Sequence, residues 1–130
     1  MQTARPLTIL LLEDDPVTGS MMRWTLEQAG YLVLTVTDGD AAFRQCVEHQ
    51  GGIDLLIADV NVPGTNGLDV VRVVQEECPH LKVLPCSGEY ESIREAVEAL
   101  QPRTPFLKKP FDAETLLKRV RDTFDAAEVA

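Results

Sequence analysis

At 130 residues, 45% of them hydrophobic, the chain is long enough for one domain with its own core and has no apolar run long enough to span a bilayer. Its net charge of −9 works against nucleic-acid binding, because a duplex would be repelled rather than neutralised.

Thr8–Leu12 reads as an apolar strand. A helix follows over Pro16–Ala29, with Asp15 as N-cap, Pro16 at the first helical position and Gly30 as stop. Tyr31–Val36 is the second strand. Gly39–His49 is the second helix, capped by Asp38, and Gly51-Gly52 closes that unit. The third strand, Leu55–Ala58, leads to a helix over Gly67–Cys78, capped by Asn66 and stopped by Pro79. In the fourth strand, Lys82–Cys86, Pro85 lacks an amide for the ladder and is expected near the strand's end, beside a local irregularity. Ile93, Val97 and Leu100 have helical spacing and predict a helix over Glu91–Leu100. Pro105–Leu107 is the fifth strand. Ala113–Phe124 is the last helix, capped by Asp112, with Leu116, Leu117, Val120 and Phe124 turned inward. The tail Asp125–Ala130 is expected to fray.

Strands alternating with helices predict an α/β fold, a five-stranded parallel sheet with helices on both faces. One domain is expected over 1–130, with its core in about 7–124 and no linker or second domain. Cys46, Cys78 and Cys86 have no C-x-x-C spacing, which points to buried thiols in a reducing compartment. Met1–Thr8 has one Arg and no extended apolar stretch, so no secretory leader is expected and the location reads as cytoplasmic.

The informative residues lie at strand ends. The third strand runs into Asp59 and a Pro-Gly turn, the first into Glu13-Asp14-Asp15, and the fifth into Lys108-Lys109-Pro110. In open α/β sheets, ligands bind outside the carboxyl ends of the strands. Three carboxylates, Glu13, Asp14 and Asp59, repel one another unless a cation sits among them. Oxygen-only ligation suits Mg²⁺, with Mn²⁺ as the substitute ion, and leaves room for a phosphate oxygen. Lys109 is placed to pair with Asp59. Ser87, at the end of the fourth strand, can donate to a phosphoryl oxygen, and Gly88 leaves the entrance open.

Four segments in order, Ile9–Asp15, Asp54–Gly67, Val83–Gly88 and Phe106–Phe111, resemble the response-regulator receiver domains of two-component signalling, over nearly the whole chain. The resemblance implies a doubly wound flavodoxin-like sheet of order 2-1-3-4-5, an order for which a receiver is a standing example. It also implies that Asp59 accepts a phosphoryl group from a phosphohistidine on a sensor histidine kinase or histidine phosphotransfer protein. Glu13, Asp14, Asp59 and the backbone carbonyl of Asn61 would hold the metal. Lys109 and the metal would neutralise the transferring group. Ser87 and Phe106 take the switch positions, and the Lys109–Pro110 bond is expected to be cis. Thr18 and Met21 lie where such domains meet the phosphodonor. Tyr90, Glu91 and Lys108 lie on the face of the fourth helix, fifth strand and fifth helix, which would engage a downstream protein. Asn61 and Glu89 lie where dephosphorylation is tuned.

Phe106 has no hydroxyl, where many members carry Tyr, and Gly88 replaces the commoner Ala. The expected protein catalyses only its own phosphorylation and dephosphorylation. It would act without direct nucleic-acid or membrane contact, as a monomer or a phosphorylation-dependent dimer. A Met at the start and no output domain favour a stand-alone regulator over a receiver taken from a hybrid kinase or larger regulator. A degenerate receiver that only binds partners would lack an acid or the Lys, and none is missing. Haloacid-dehalogenase-like phosphatases need Asp-x-Asp after the first strand, which Glu13-Asp14-Asp15-Pro16 does not supply. A nucleotide or flavin module would need a Gly-rich cradle where this chain has three carboxylates.

Overall fold

The computed structural model describes residues 6–49, 52–61, 67–89 and 105–126. Numbered in chain order, the elements are β1 (Thr8–Leu12), α1 (Pro16–Gln28), β2 (Leu32–Val36), α2 (Gly39–Glu48), β3 (Leu55–Asp59), α3 (Gly67–Glu77), β4 (Lys82–Ser87), β5 (Leu107–Lys108) and α4 (Ala113–Ala126). The sheet is parallel throughout, in the order β2-β1-β3-β4-β5.

Alternation along the strands builds two cores. Leu10, Leu12, Leu56 and Ala58 point to one face and pack with Ala42 and Cys46 of α2 and Val71 and Val74 of α3. Ile9, Leu11, Leu55, Ile57 and Leu84 point to the other, against Met22 and Leu26 of α1 and Leu116 and Val120 of α4. β1 and β3 are buried along their whole length, which explains why they read as unbroken apolar runs. Each fully buried Leu contributes about 1.5–3 kcal/mol, so the central strands are the rigid base on which the site rests.

Three aspartates start helices as expected. Asp15 accepts from the Thr18 amide (3.1 Å) and from its hydroxyl, Asp38 accepts from the Ala41 amide (2.8 Å), and Asp112 from the Thr115 amide (2.8 Å). Gly30, with φ 99°, ends α1 in the left-handed region that a side chain would resist. Thr18's hydroxyl and then its amide hold the Asp15 carboxyl below its usual 3.8, and the Thr115 amide does the same for Asp112. A folded-state value below the unfolded one gives stability that is full above 3.8 and lost as pH falls through the lowered value. Urea unfolding followed down through that range should therefore show a flatter acid loss for Asp15→Asn and Asp112→Asn than for the wild type. Parallel curves would remove the caps from the acid response.

The boundaries differ from the reading at informative places. β3 includes Asp59 and β4 includes Ser87, so both are strand residues rather than residues of the following loops. The fifth strand is Leu107–Lys108, not Pro105–Leu107, and Phe106 precedes it. Pro85 lies inside β4, in register with Ala58, and the ladder to β3 runs past it. The Cys86 carbonyl accepts from Val60 on the β3 side (3.0 Å), whereas the Ser87 carbonyl accepts from Lys109 on the β5 side (2.9 Å). Pro85 shares the parity of Ser87, so its missing amide faces β5, which starts only at Leu107. The helix α4 continues through Asp125 and Ala126, where fraying was expected. The predicted helix over Glu91–Leu100, the Asn66 cap, Tyr90 and Glu91 lie outside the described residues. Cys46, Cys78 and Cys86 are buried thiols in no disulfide, and burial pushes the Cys46 thiol up to about 12.

Candidate functional site

Glu13 follows β1, Asp59 ends β3 and Lys109 follows β5, so three strands deliver the site at one edge of the sheet. Lys109 Nζ donates to Glu13 Oε1 at 2.7 Å and to Asp59 Oδ2 at 3.0 Å. Glu13 and Asp59 are 6% and 4% exposed, whereas Asp14 beside them is open to solvent. Lys109, expected to pair with Asp59, bridges both buried acids. The Lys109–Pro110 peptide is cis, as the resemblance implied.

Each remaining buried oxygen has a partner. Glu13 Oε2 accepts from the Asp15 amide (3.1 Å) and Asp59 Oδ1 from the Asn61 amide (2.9 Å). Burial lowers the Lys109 pKa, but its hydrogen bonds to Glu13 and Asp59 outweigh that and hold it above the usual lysine value. Burial also makes Glu13 less acidic than usual, against the pull of Lys109 and the Asp15 amide, and the Asp59 charge adds to it. Cys86, in register with Asp59, is driven by burial to a very weakly acidic thiol.

One oxygen each of Glu13, Asp14 and Asp59 lie within 4.8 Å of one another. Three carboxylates and one ammonium leave two negative charges in this group of described residues (−3 + 1 = −2). A hard divalent cation matches both the charge and the all-oxygen donors, so the residues present fit Mg²⁺.

Ser87 is fully buried. Its Oγ donates to Asn61 Oδ1 at 2.7 Å and accepts from the Glu89 amide at 2.9 Å. Phe106 is half-buried just before β5, and Lys108 is exposed. A Cβ on Gly88 would sit 3.8 Å from Lys109 Cβ, an ordinary contact, so the alanine common elsewhere would also fit. Beside Lys109 a cavity of about 400 Å³ is lined by Thr18, Met21, Gly88, Lys109, Pro110 and Phe111.

Residues 9–121 match the family described as the response regulator receiver domain. The chain belongs to that family. The receiver domain is 33% identical over 117 residues to the C4-dicarboxylate transport transcriptional regulatory protein DctD of Pseudomonas aeruginosa, covering 87% of this chain and 24% of that protein. It is 34% identical over 116 residues to the response regulator protein PmrA of the same species, covering 88% and 51%. It therefore spans from about a quarter to about half the length of these curated relatives. Among solved structures, the chemotaxis protein CheY4 of Vibrio cholerae superposes with a TM-score of 0.80 at 28% identity, covering 91% of this chain and 98% of that one.

Sequence reasoning missed two apolar residues on the receiver's first helix. Val17 and Trp24 are 77% and 65% exposed, and with Met21 at 37% they form one stripe at helical spacing beside the cavity. Their spacing was visible; their exposure was not, because the same spacing describes a core face.

Proposed function

We propose that this receiver domain takes a phosphoryl group onto Asp59 from a phosphohistidine of a sensor histidine kinase or histidine phosphotransfer protein. The observation that carries the reading is Lys109 held between Glu13 and Asp59 in a pocket that keeps two negative charges. An Asp59 carboxylate oxygen attacks phosphorus in line. The bond from phosphorus to the donor imidazole nitrogen breaks, and its electron pair returns to the ring. Lys109, already charged and aimed, stabilises the transferring oxygens without reorganising. Glu13, Asp14, Asp59 and the backbone carbonyl of Asn61 would hold Mg²⁺, which supplies charge neutralisation; Mn²⁺ would serve in its place.

The donor reaches the site through the cavity lined by Thr18 and Met21, with Val17 and Trp24 as the flanking apolar surface. The acyl phosphate then draws the Ser87 hydroxyl, Phe106 rotates, and the surface around Lys108 changes population between two states. A downstream protein reads that surface. Hydrolysis is tuned at Asn61 and Glu89.

Incubation with acetyl phosphate and Mg²⁺ should give one phosphoryl adduct by intact mass, labile to base and to hydroxylamine. Asp59→Asn should lose it to background. Adduct that persists at another residue in that variant would falsify the assignment.

A further inference from the structure

We propose that the side chain of Asn61 is a latch on the switch hydroxyl, holding Ser87 away from Asp59 until a phosphoryl group arrives. The inference rests on Asp59 being the acceptor. A serine hydroxyl has one proton to donate. Here that proton is committed to Asn61 Oδ1 at 2.7 Å, while the oxygen accepts from the Glu89 amide at 2.9 Å. Ser87 cannot donate to a phosphoryl oxygen until it lets go of Asn61.

Asn61 touches both ends of the switch. Its amide donates to Asp59 Oδ1 at 2.9 Å, and its side chain holds Ser87. The two ends of the latch also differ in solvent. Asn61 is exposed, so its released carbonyl finds water at little cost. Ser87 is 0% exposed, so its hydroxyl has no such substitute. Without the Asn61 side chain the resting position loses its acceptor, and the phosphoryl-facing position becomes relatively more favourable. Phosphorylation exchanges a neutral hydrogen bond for a charge-assisted one, and the side chain at position 61 sets how much of that gain remains to drive the switch. Asn61 is thus a positioning residue for Ser87, a role separate from the carbonyl it would offer the metal.

The test uses the full chain and beryllofluoride, a tetrahedral phosphoryl mimic, titrated calorimetrically at saturating Mg²⁺. Asn61→Ala, which keeps the backbone carbonyl, should bind about fivefold tighter than wild type, the effect of one net hydrogen bond. In a Ser87→Ala background the same change should have no effect, a coupling that a merely structural role would not produce. The Glu89 amide resonance of unliganded Asn61→Ala should move toward its position in the wild-type complex. Equal or weaker binding by Asn61→Ala, or the same gain without Ser87, would overturn the latch alone. A wild type that takes up no beryllofluoride would overturn the acceptor assignment and the latch with it.

Discussion

Replacing Lys109 by methionine is expected to weaken the metal-free fold, tighten Mg²⁺ binding and nearly abolish phosphoryl transfer. The three effects have different causes. Glu13 and Asp59 have side chains 1% and 6% exposed, and removal of their shared ammonium leaves two buried carboxylates without a counter-charge. Breaking a fully buried pair costs about 3–5 kcal/mol. The loss here should be smaller, about 2 kcal/mol, because Lys109 keeps 23% of its side chain exposed and Glu13, already less acidic than usual, can take a proton. Mg²⁺ should then bind more tightly, since its ligands no longer share their oxygens with an ammonium, and added metal should recover most of the lost stability. Transfer should still fall about 100-fold, the usual loss for one preorganised charge-stabilising donor. Urea unfolding with and without Mg²⁺, a Mg²⁺ titration and the labelling rate measure the three separately. Weaker Mg²⁺ binding in Lys109→Met would mean that the lysine does not compete with the metal for Glu13 and Asp59.

Replacing Gly67 by alanine should be still more damaging to the fold. A Cβ there would lie 2.3 Å from Val60 Cα, 2.8 Å from the Asp59 carbonyl oxygen and 2.9 Å from the Val60 carbonyl carbon. All three are backbone atoms, so no flexible side chain can swing aside. The start of α3 or the end of β3 with Asp59 must move, at a cost of about 3 kcal/mol or more. The urea midpoint should drop with an unchanged slope. The labelling rate should drop too, because the strand end that yields is the one bearing Asp59. Gly88→Ala is the matched control: its new atom meets Lys109 Cβ at 3.8 Å, and stability should stay within about 0.5 kcal/mol of wild type. A stable Gly67→Ala with normal labelling would show that α3 can back away from β3 cheaply.

What could be read from the chain divides by how local its cause is. The apolar runs of β1 and β3, the aspartate caps and the acids at strand ends each follow from a few neighbouring residues, and the structure has them where expected. The sheet order came with the family resemblance. The Lys109–Glu13 contact joins residues 96 apart, and no spacing rule says which of two acids an ammonium will bridge. The Ser87–Asn61 bond depends on which way a short side chain turns at the mouth of the site, which the residue types leave open. Gly67 opens α3, where the residue type alone sets no size limit, and only the approach of Val60 shows that nothing larger fits. Pro85 lies near the end of its strand as expected, but without the expected irregularity, because strand parity turns its ring nitrogen to the side where β5 has not begun.

That proline also grades the stiffness of the sheet. β4 is stitched to β3 by five paired residues from Leu55 to Asp59, but to β5 by two, Cys86 with Leu107 and Ser87 with Lys108. Phe106 stands at the unstitched end of this short ladder. The rotation proposed for it would strain two rungs rather than five, so opening this margin would take far less free energy than opening the centre. The receiver can thus keep Glu13, Asp59 and their supporting strands still while one margin flexes, and the compliant margin is the one that carries Lys108 to the surface.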